Sequence, residues 1–419
     1  MPAGPALAND GALRGKTILV VHPAWHSCGT YGVVQAQVAA WRRCGAHVVT
    51  LACSDQPAFV SSRSKLRADY IANTPELDAT HRLFAGAPVR NLVTPAFLRT
   101  VLWPWLHLDQ ARIRAGMAEH SVVVGDALRD RIDLVHCNHF FCMPVATRMA
   151  RGAPIVVETH DIQADQFSLM NRHARFHLKP CATHDGMFRQ ELAWLRQADA
   201  IVHLNAQDHA TFAVSLPDSR HELIYPAIAP MPPALGRQAV ILASGNMANT
   251  RDIIWFLDEV LPLFPEIDLA IYGTIDRAIA SQRPDLFTRH RDIFKGRVDD
   301  LARVYARAGI VLLPSRTGHG LSIKTVEALS SGARIVATRH AFRGMSLDML
   351  TFPNVLMADD PVAFSAAMRV AVMNAGGGAR QTVETNRTAY SANFGAEAYA
   401  ARLAGLASSL LGKSAVRRD

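Results

Sequence analysis

The densest run of chemically capable residues lies at 308–345, AGIVLLPSRTGHGLSIKTVEALSSGARIVATRHAFRGM. An apolar strand pattern closes at Pro314, and a loop of glycine and small polar residues follows (Thr317, Gly318, His319, Gly320, Leu321, Ser322). A helical pattern then starts near Ile323, carrying Lys324 and Glu327. Loop amides at a helix start, with an ammonium beside them, suit a diphosphate; a carboxylate one turn on suits a pair of ribose hydroxyls. The same two charges also fit an ordinary surface helix. A second anion site is expected after AVILASG (239–245), where Gly245 permits close approach and a helix is expected from near Asn249. Arg251 would fall in its first turn, where a cation opposes the helix dipole, a local violation typical of functional positions.

The first half of the chain offers other candidates. HPAWHSCGTYGVVQ (22–35) places Gly29 and Gly32 in a polar turn entering a helix, which lets a ligand reach backbone amides or is simply a tight turn. It is not GxGxxG, and Ala52-Cys53-Ser54 stands where a ribose-binding acid would be, which disfavours a nicotinamide cofactor. DLVHCNHFF (133–141) and VETHDIQADQF (157–167) put His136, His139, His160 and Asp161 at strand ends. One strand-end histidine is as readily structural as functional; three together favour function. His136 and His139 lack a third metal ligand in any motif, and His173 and His177 lack the glutamate of HExxH, so no metal site is assigned.

These residues need a scaffold, and the hydropathy pattern supplies one. Short β-branched runs alternate with helical patterns: 16–23, 47–53, 132–138, 154–161, 200–205 and 222–226, then 239–245, 268–273, 308–315 and 333–340. Apolar runs without period-2 alternation mark parallel strands covered on both faces. The stretch PAIAPMPP (226–233) divides the two series. The expected architecture is α/β, with two Rossmann-like doubly wound domains facing across a cleft. The reading places a disordered leader at 1–15, an N-terminal Rossmann-like domain at 16–228 and a C-terminal Rossmann-like domain at 237–394. A helix at 395–419 is expected to pack back towards the first domain.

With 419 residues, 49% apolar and 19% charged, the chain is neither disordered nor of low complexity. Its net charge of +8 favours anionic partners. No recognised nucleic-acid module accompanies that charge, so nucleic acid is not an expected partner. The six cysteines match neither a zinc ribbon nor CxxC, and read as reduced and mostly buried. The start lacks a signal-peptide pattern and no apolar run approaches the roughly 20 residues that span a bilayer, so a cytoplasmic location is expected. The stretch 81–114 carries Arg82, Arg90, Arg99, Arg112 and Arg114 against Asp109, interleaved with Phe97, Trp103 and Trp105. That composition suits peripheral contact with the inner face of a membrane, and equally a core helix with solvated arginines.

At this point the residues resemble a known family, the GT-B glycosyltransferases, specifically glycosyltransferase family 4. HGLSIKTVEALSSGARIVAT (319–338) lies over the signature E-G-F-G-x-x-x-x-E-A with its following short strand. GNMANTRDIIWFLDEVLP and GRVDDLARVYARAGIVLLPS are similar to two further family segments. The resemblance covers most of the second domain and is looser in the first. It implies a retaining, metal-independent hexosyltransferase whose donor is a nucleotide-diphosphate sugar, with no other cofactor. The implied acceptor is a glycan or lipid-linked glycan, in polysaccharide or glycoconjugate assembly. It further implies that Glu327 binds the donor ribose and that Lys324 and Arg251 serve the diphosphate. Gly29 matches the glycine turn under the donor phosphates, and His319 with Gly320 lies at the donor sugar. His160, with Asp161 beside it, matches a cleft histidine contacting the transferred sugar or its reaction partner. His319 replaces the family's first glutamate, which leaves the sugar open. A nucleotide-sugar epimerase and a non-catalytic nucleotide-sugar or glycan-binding protein remain as alternatives.

Overall fold

A computed structural model describes the chain except residues 1–10, 27, 56–61, 108–109, 125–130, 166–182, 347–351, 353, 375–378 and 417–419. Asp109, His173, His177 and Cys181 lie outside the described residues. Two compact units result, Met1–Ala227 with Ala396–Asp419, and Ile228–Gly395.

The N-terminal unit is an eight-stranded sheet. Its strands are β1 (Thr17–Pro23), β2 (His47–Cys53), β3 (His81–Gly86), β4 (Val122–Val124), β5 (Leu134–Asn138), β6 (Ile155–Glu158), β7 (Ala200–His203) and β8 (His221–Leu223). The spatial order is β4-β3-β2-β1-β5-β6-β7-β8, parallel except where β3 meets β4. All seven residues of β1 are buried. Leu19 and Val21 join one core cluster while Ile18 and Val20 join another, so both faces of the sheet are covered. That is why the run TILVV shows no polar alternation. The C-terminal helix Ala396–Val416 contributes Tyr399, Leu403, Ala407 and Leu410 to the second cluster beside Val34, Val38 and Trp41 of the Gly29–Arg43 helix.

The C-terminal unit is a six-stranded parallel sheet. It comprises β9 (Gln238–Leu242), β10 (Leu269–Tyr272), β11 (Phe294–Gly296), β12 (Ala308–Leu313), β13 (Arg334–Ala337) and β14 (Val355–Met357), in the order β11-β10-β9-β12-β13-β14. In both units the order reverses beside the first strand, between β1 and β5 and between β9 and β12. Loops leaving the carboxyl ends of those strands are where an open parallel sheet binds ligands.

Several expectations change. Residues 11–15 are not a free leader: they form a turn in which Leu13 is 2% exposed and its amide bonds Cys44 O at 2.9 Å. The stretch 81–114 is not one amphipathic element. It opens as β3, where Arg82 lies over the Tyr70 ring and bonds Thr74. Arg112 donates to Gln190 Oε1 (2.8 Å), and Arg114 lies over Trp25, 3.7 Å from Asp55. Among the described residues the exposed large apolar side chains of this stretch, Val93, Leu98, Leu102, Trp103 and Trp105, fall within 90–106, with Arg90 and Arg99 also outward. Among the described residues no helix is long and apolar enough to cross a membrane.

Candidate functional site

In the C-terminal unit the loops after β9 and β12 converge. Gly245 follows β9, and a Cβ there would stand 2.9 Å from Thr274 O, so the backbone passes too close for any other residue. Asn246 caps the next helix, Met247–Trp255, by accepting from Asn249 N (2.9 Å). The helix therefore begins before Asn249, and Arg251 is exposed in its second turn, not placed in the first. The side chain that reaches the loop after β12 is Asn249. Its Nδ2 donates to Ser244 O and Oγ, both at 2.9 Å, which fixes the amide and turns Oδ1 to accept from Lys324 Nζ at 2.8 Å.

Lys324 sits in the first turn of the Ile323–Ser331 helix, whose cap residue Ser322 makes no side-chain bond to the helix amides. Ser322 Oγ instead accepts from Thr325 Oγ1 (2.8 Å). The first amides of that helix thus lack a side-chain cap, the arrangement that receives anions. Burial lowers the Lys324 pKa to about 8, assisted by the like charge of Arg343. Glu327, one turn on, accepts from Tyr305 Oη at 3.0 Å. Burial raises the Glu327 pKa, while the Tyr305 bond and Lys324 draw it back. Lys324 and Glu327 line a cavity of about 350 Å³ with Ser244, Tyr272, Arg297 and Val298. Lys324 also borders a water-sized recess with Asn249, Asp252 and Ser315.

The loop between β12 and the helix carries His319, exposed, and Gly318 and Gly320 at φ 118° and 67°, backbone that favours glycine. The Arg343 guanidinium lies against Gly318, and its Nε donates to His319 O at 3.5 Å. Asp252 is buried beneath, accepting from Thr317 Oγ1 at 3.2 Å, and burial raises its pKa.

In the N-terminal unit, Gly29 opens the Gly29–Arg43 helix behind an extended Cys28. A Cβ at Gly29 would meet nothing within 4 Å, so the chain itself does not demand glycine there. His139 and His160 follow β5 and β6 at φ 63° and 59°, a left-handed conformation that costs a non-glycine residue energy. Their rings stack 4.3 Å apart. His160 Nε2 lies 2.7 Å from Asn138 Oδ1, which also accepts from Gln37 Nε2 at 2.8 Å. An oxygen there requires Nε2 to carry the proton, leaving Nδ1 as acceptor. Burial lowers the His160 pKa to about 4, so the ring is neutral at pH 7. His136 is different: Trp41 Nε1 donates to its Nδ1 (3.1 Å) and its Nε2 faces Glu158 Oε2 at 3.3 Å, all of it buried. It is a structural histidine. Asp161 bonds Gln163 Nε2. Among the described residues no group of three histidine, cysteine or acidic side chains is arranged to hold a metal.

Sequence reading passed over Asn249, Tyr305, Asp252 and Arg343. An asparagine six residues before Trp255 and an arginine within AFRGM gave no local signal, because each acts through a loop distant in sequence.

Two α/β units with parallel sheets and loop sites at the strand-order reversal define the GT-B class of fold. Residues 238–374 match the family model described as glycosyl transferases group 1. No curated protein sequence matches the chain. Among solved structures, sucrose-phosphate synthase from Thermosynechococcus elongatus is similar at TM-score 0.59 and 14% identity, over 95% of this chain and 100% of that one. HepE from Anabaena, in complex with UDP, is similar at TM-score 0.58 and 13% identity, over 94% and 100%. The trehalose-6-phosphate protein from E. coli bound with UDP-2-fluoro glucose is similar at 0.57 and 12%, over 94% and 99%. At these identities the likeness is one of fold.

Proposed function

We propose that the chain is a retaining glycosyltransferase that moves a hexosyl group from a nucleotide-diphosphate sugar to a glycan or lipid-linked glycan acceptor, in polysaccharide or glycoconjugate assembly. One observation carries the reading: Lys324, held by Asn249, stands at an uncapped helix start beside Glu327 and a cavity of about 350 Å³. That cavity is of the size ligand sites have. The nucleoside occupies it, Glu327 takes the ribose hydroxyls and Lys324 with the loop amides takes the diphosphate. The match of 238–374 to glycosyl transferases group 1 supports this, as do the similar structures solved in complex with UDP and with UDP-2-fluoro glucose.

In this proposal the cations and helix amides offset the charge that develops on the leaving diphosphate, a role a metal ion would otherwise fill. The acceptor hydroxyl attacks from the face the nucleotide leaves. His160, neutral and with Nδ1 as acceptor, orients a hydroxyl by hydrogen bonding; a base with a pKa near 4 removes protons poorly at pH 7. Gly29 and Asp161 in the N-terminal unit, and His319 and Gly320 in the C-terminal unit, are proposed as further ligand-contacting residues of their own units. Arg251, exposed in the second turn, is proposed only as a distant positive charge.

Membrane contact is proposed for 90–106, where Trp103 (55% exposed), Trp105 (49%), Leu98 and Leu102 present apolar area beside Arg90 and Arg99. Exposed tryptophan with arginine suits an anionic lipid interface.

The test is a thermal-shift panel of nucleoside diphosphates and their sugars, followed by transfer assays. A ligand at 100 times its Kd stabilises by roughly 2.7 kcal/mol. If Glu327→Ala and His160→Ala both leave turnover unchanged, the assignment is wrong. Donor turnover without acceptor marks an epimerase, and binding without hydrolysis or transfer marks a binding protein.

A further inference from the structure

Beyond the nucleoside and diphosphate, one cation in the C-terminal unit has no assigned work. Arg343 is half-buried and belongs to none of the ion pairs among the described residues. Its guanidinium packs on the Cα of Gly318, where a Cβ would stand 3.1 Å from Nη2. Among the described residues its bonds to protein are two long ones to carbonyls, Nε to His319 O at 3.5 Å and Nη1 to His340 O at 3.4 Å. The Nε2 of neighbouring His340 is buried without a partner. The nearby carboxylate, Asp252, is turned to Thr317 Oγ1.

Position decides what Arg343 would meet. The nucleoside cavity is lined by Lys324 and Glu327 and does not include Arg343. Lys324 stands at its border, shared with the recess formed by Asn249, Asp252 and Ser315. With the nucleoside in the cavity and the diphosphate at Lys324, the group on the distal phosphate extends towards the Gly318–Gly320 loop that Arg343 backs. A planar guanidinium with free donors is suited to a carboxylate, which it binds in bidentate fashion.

We propose that the sugar transferred is itself acidic, a uronate-type sugar whose carboxylate is received by Arg343. This rests on the donor reading above and adds the chemical class of the sugar.

The test measures binding of UDP, UDP-glucose and UDP-glucuronate, with GDP, GDP-mannose and GDP-mannuronate as the purine set, to the full chain and to Arg343→Gln and Arg343→Lys. The acidic donor is expected to bind about tenfold tighter than its neutral counterpart. Arg343→Gln should erase that preference while the plain diphosphate binds within about twofold of wild type, and Arg343→Lys should restore part of it. Equal or better binding of the neutral sugar overturns the inference and leaves the donor reading standing. So does an Arg343→Gln loss as large for the plain diphosphate as for the sugar acid, which makes Arg343 a diphosphate ligand. Absence of binding by every diphosphate overturns the donor reading, and this inference with it.

Discussion

The two units hold their polar residues in opposite ways. Around β5 and β6 the polar groups lean on one another: Asn138 joins Gln37, Val21 O and His160, and Trp41 holds His136 against Glu158. Around β9 and β12 the partners are neutral or long: Lys324 has an amide oxygen and Arg343 has two carbonyls. The first arrangement takes most of its polar partners from within the fold. The second leaves positive charge to be matched by something that arrives, so polar residues there should matter to binding and little to folding.

The largest effect expected breaks that contrast most directly. Glu158→Ala removes a fully buried carboxylate facing His136, His160 and, at 3.5 Å, Tyr399 Oη. Leaving the buried Tyr399 hydroxyl and His136 Nε2 without that acceptor costs about 1–3 kcal/mol per group, so denaturant unfolding should show a loss near 3 kcal/mol. Lys324→Met should change unfolding by under about 1 kcal/mol, since Lys324 bonds an amide oxygen and forms no direct ion pair among the described residues, yet abolish stabilisation by nucleoside diphosphates. Similar folding losses for the two variants would erase the distinction.

The units should also fail at opposite ends of the pH scale. Burial lowers His22 and His160 to about 4 and His203 to about 3. The unfolded chain takes up these protons near 6.5 and the folded chain does not, so stability falls as pH drops from about 6.5 towards 4. A decline on the order of 2 kcal/mol for each of the three, roughly 5 kcal/mol together, is expected between pH 7 and 5, and about a third smaller in His160→Gln. Lys324, with its pKa lowered to about 8, loses its charge as pH rises through that value. Diphosphate affinity should fall above pH 8 in wild type and stay flat in Lys324→Arg, whose guanidinium remains charged. An unchanged slope in Lys324→Arg would assign the alkaline loss to another group.

A smaller effect is expected at 90–106. Trp103→Ser with Trp105→Ser should reduce flotation with anionic liposomes several-fold at unchanged stability, because both rings are half exposed. Flotation that is equal for neutral and anionic lipid would remove the arginines from the contact.

The same contrast governs what the sequence disclosed. Ten of the strands were visible because both faces of a parallel strand are apolar, as TILVV and GIVLL are. β3 starts with His81 and Arg82 and lies near a sheet edge, and β4, β11 and β14 have three residues each, too few for a period to register; β8 is as short but lies in the run ELIYP (222–226). The loop chemistry of Lys324 and Glu327 was legible because loop, helix start and charges are consecutive. Arg251 misled because its charge was visible while the cap that sets its turn, Asn246, was not recognised. Asn249, Arg343 and Tyr305 reach the site from other elements, a placement only the fold determines.

Tyr305 gives the finest test of that point. It is buried at 0% exposure, and its hydroxyl donates to Glu327 Oε2 at 3.0 Å. Tyr305→Phe keeps the ring and removes that one donor, so a carboxylate already raised by burial loses a bond favouring its ionised form. One hydrogen bond to a charged group is worth about 1.5 kcal/mol at the low end, so UDP should bind at least roughly tenfold more weakly. The discriminating ligand is 2′,3′-dideoxy-UDP, which has no ribose hydroxyls for Glu327 to hold. Its affinity should be low in wild type and no lower in Tyr305→Phe. If the variant weakens both ligands equally, Tyr305 supports the helix packing and Glu327 does not read the ribose.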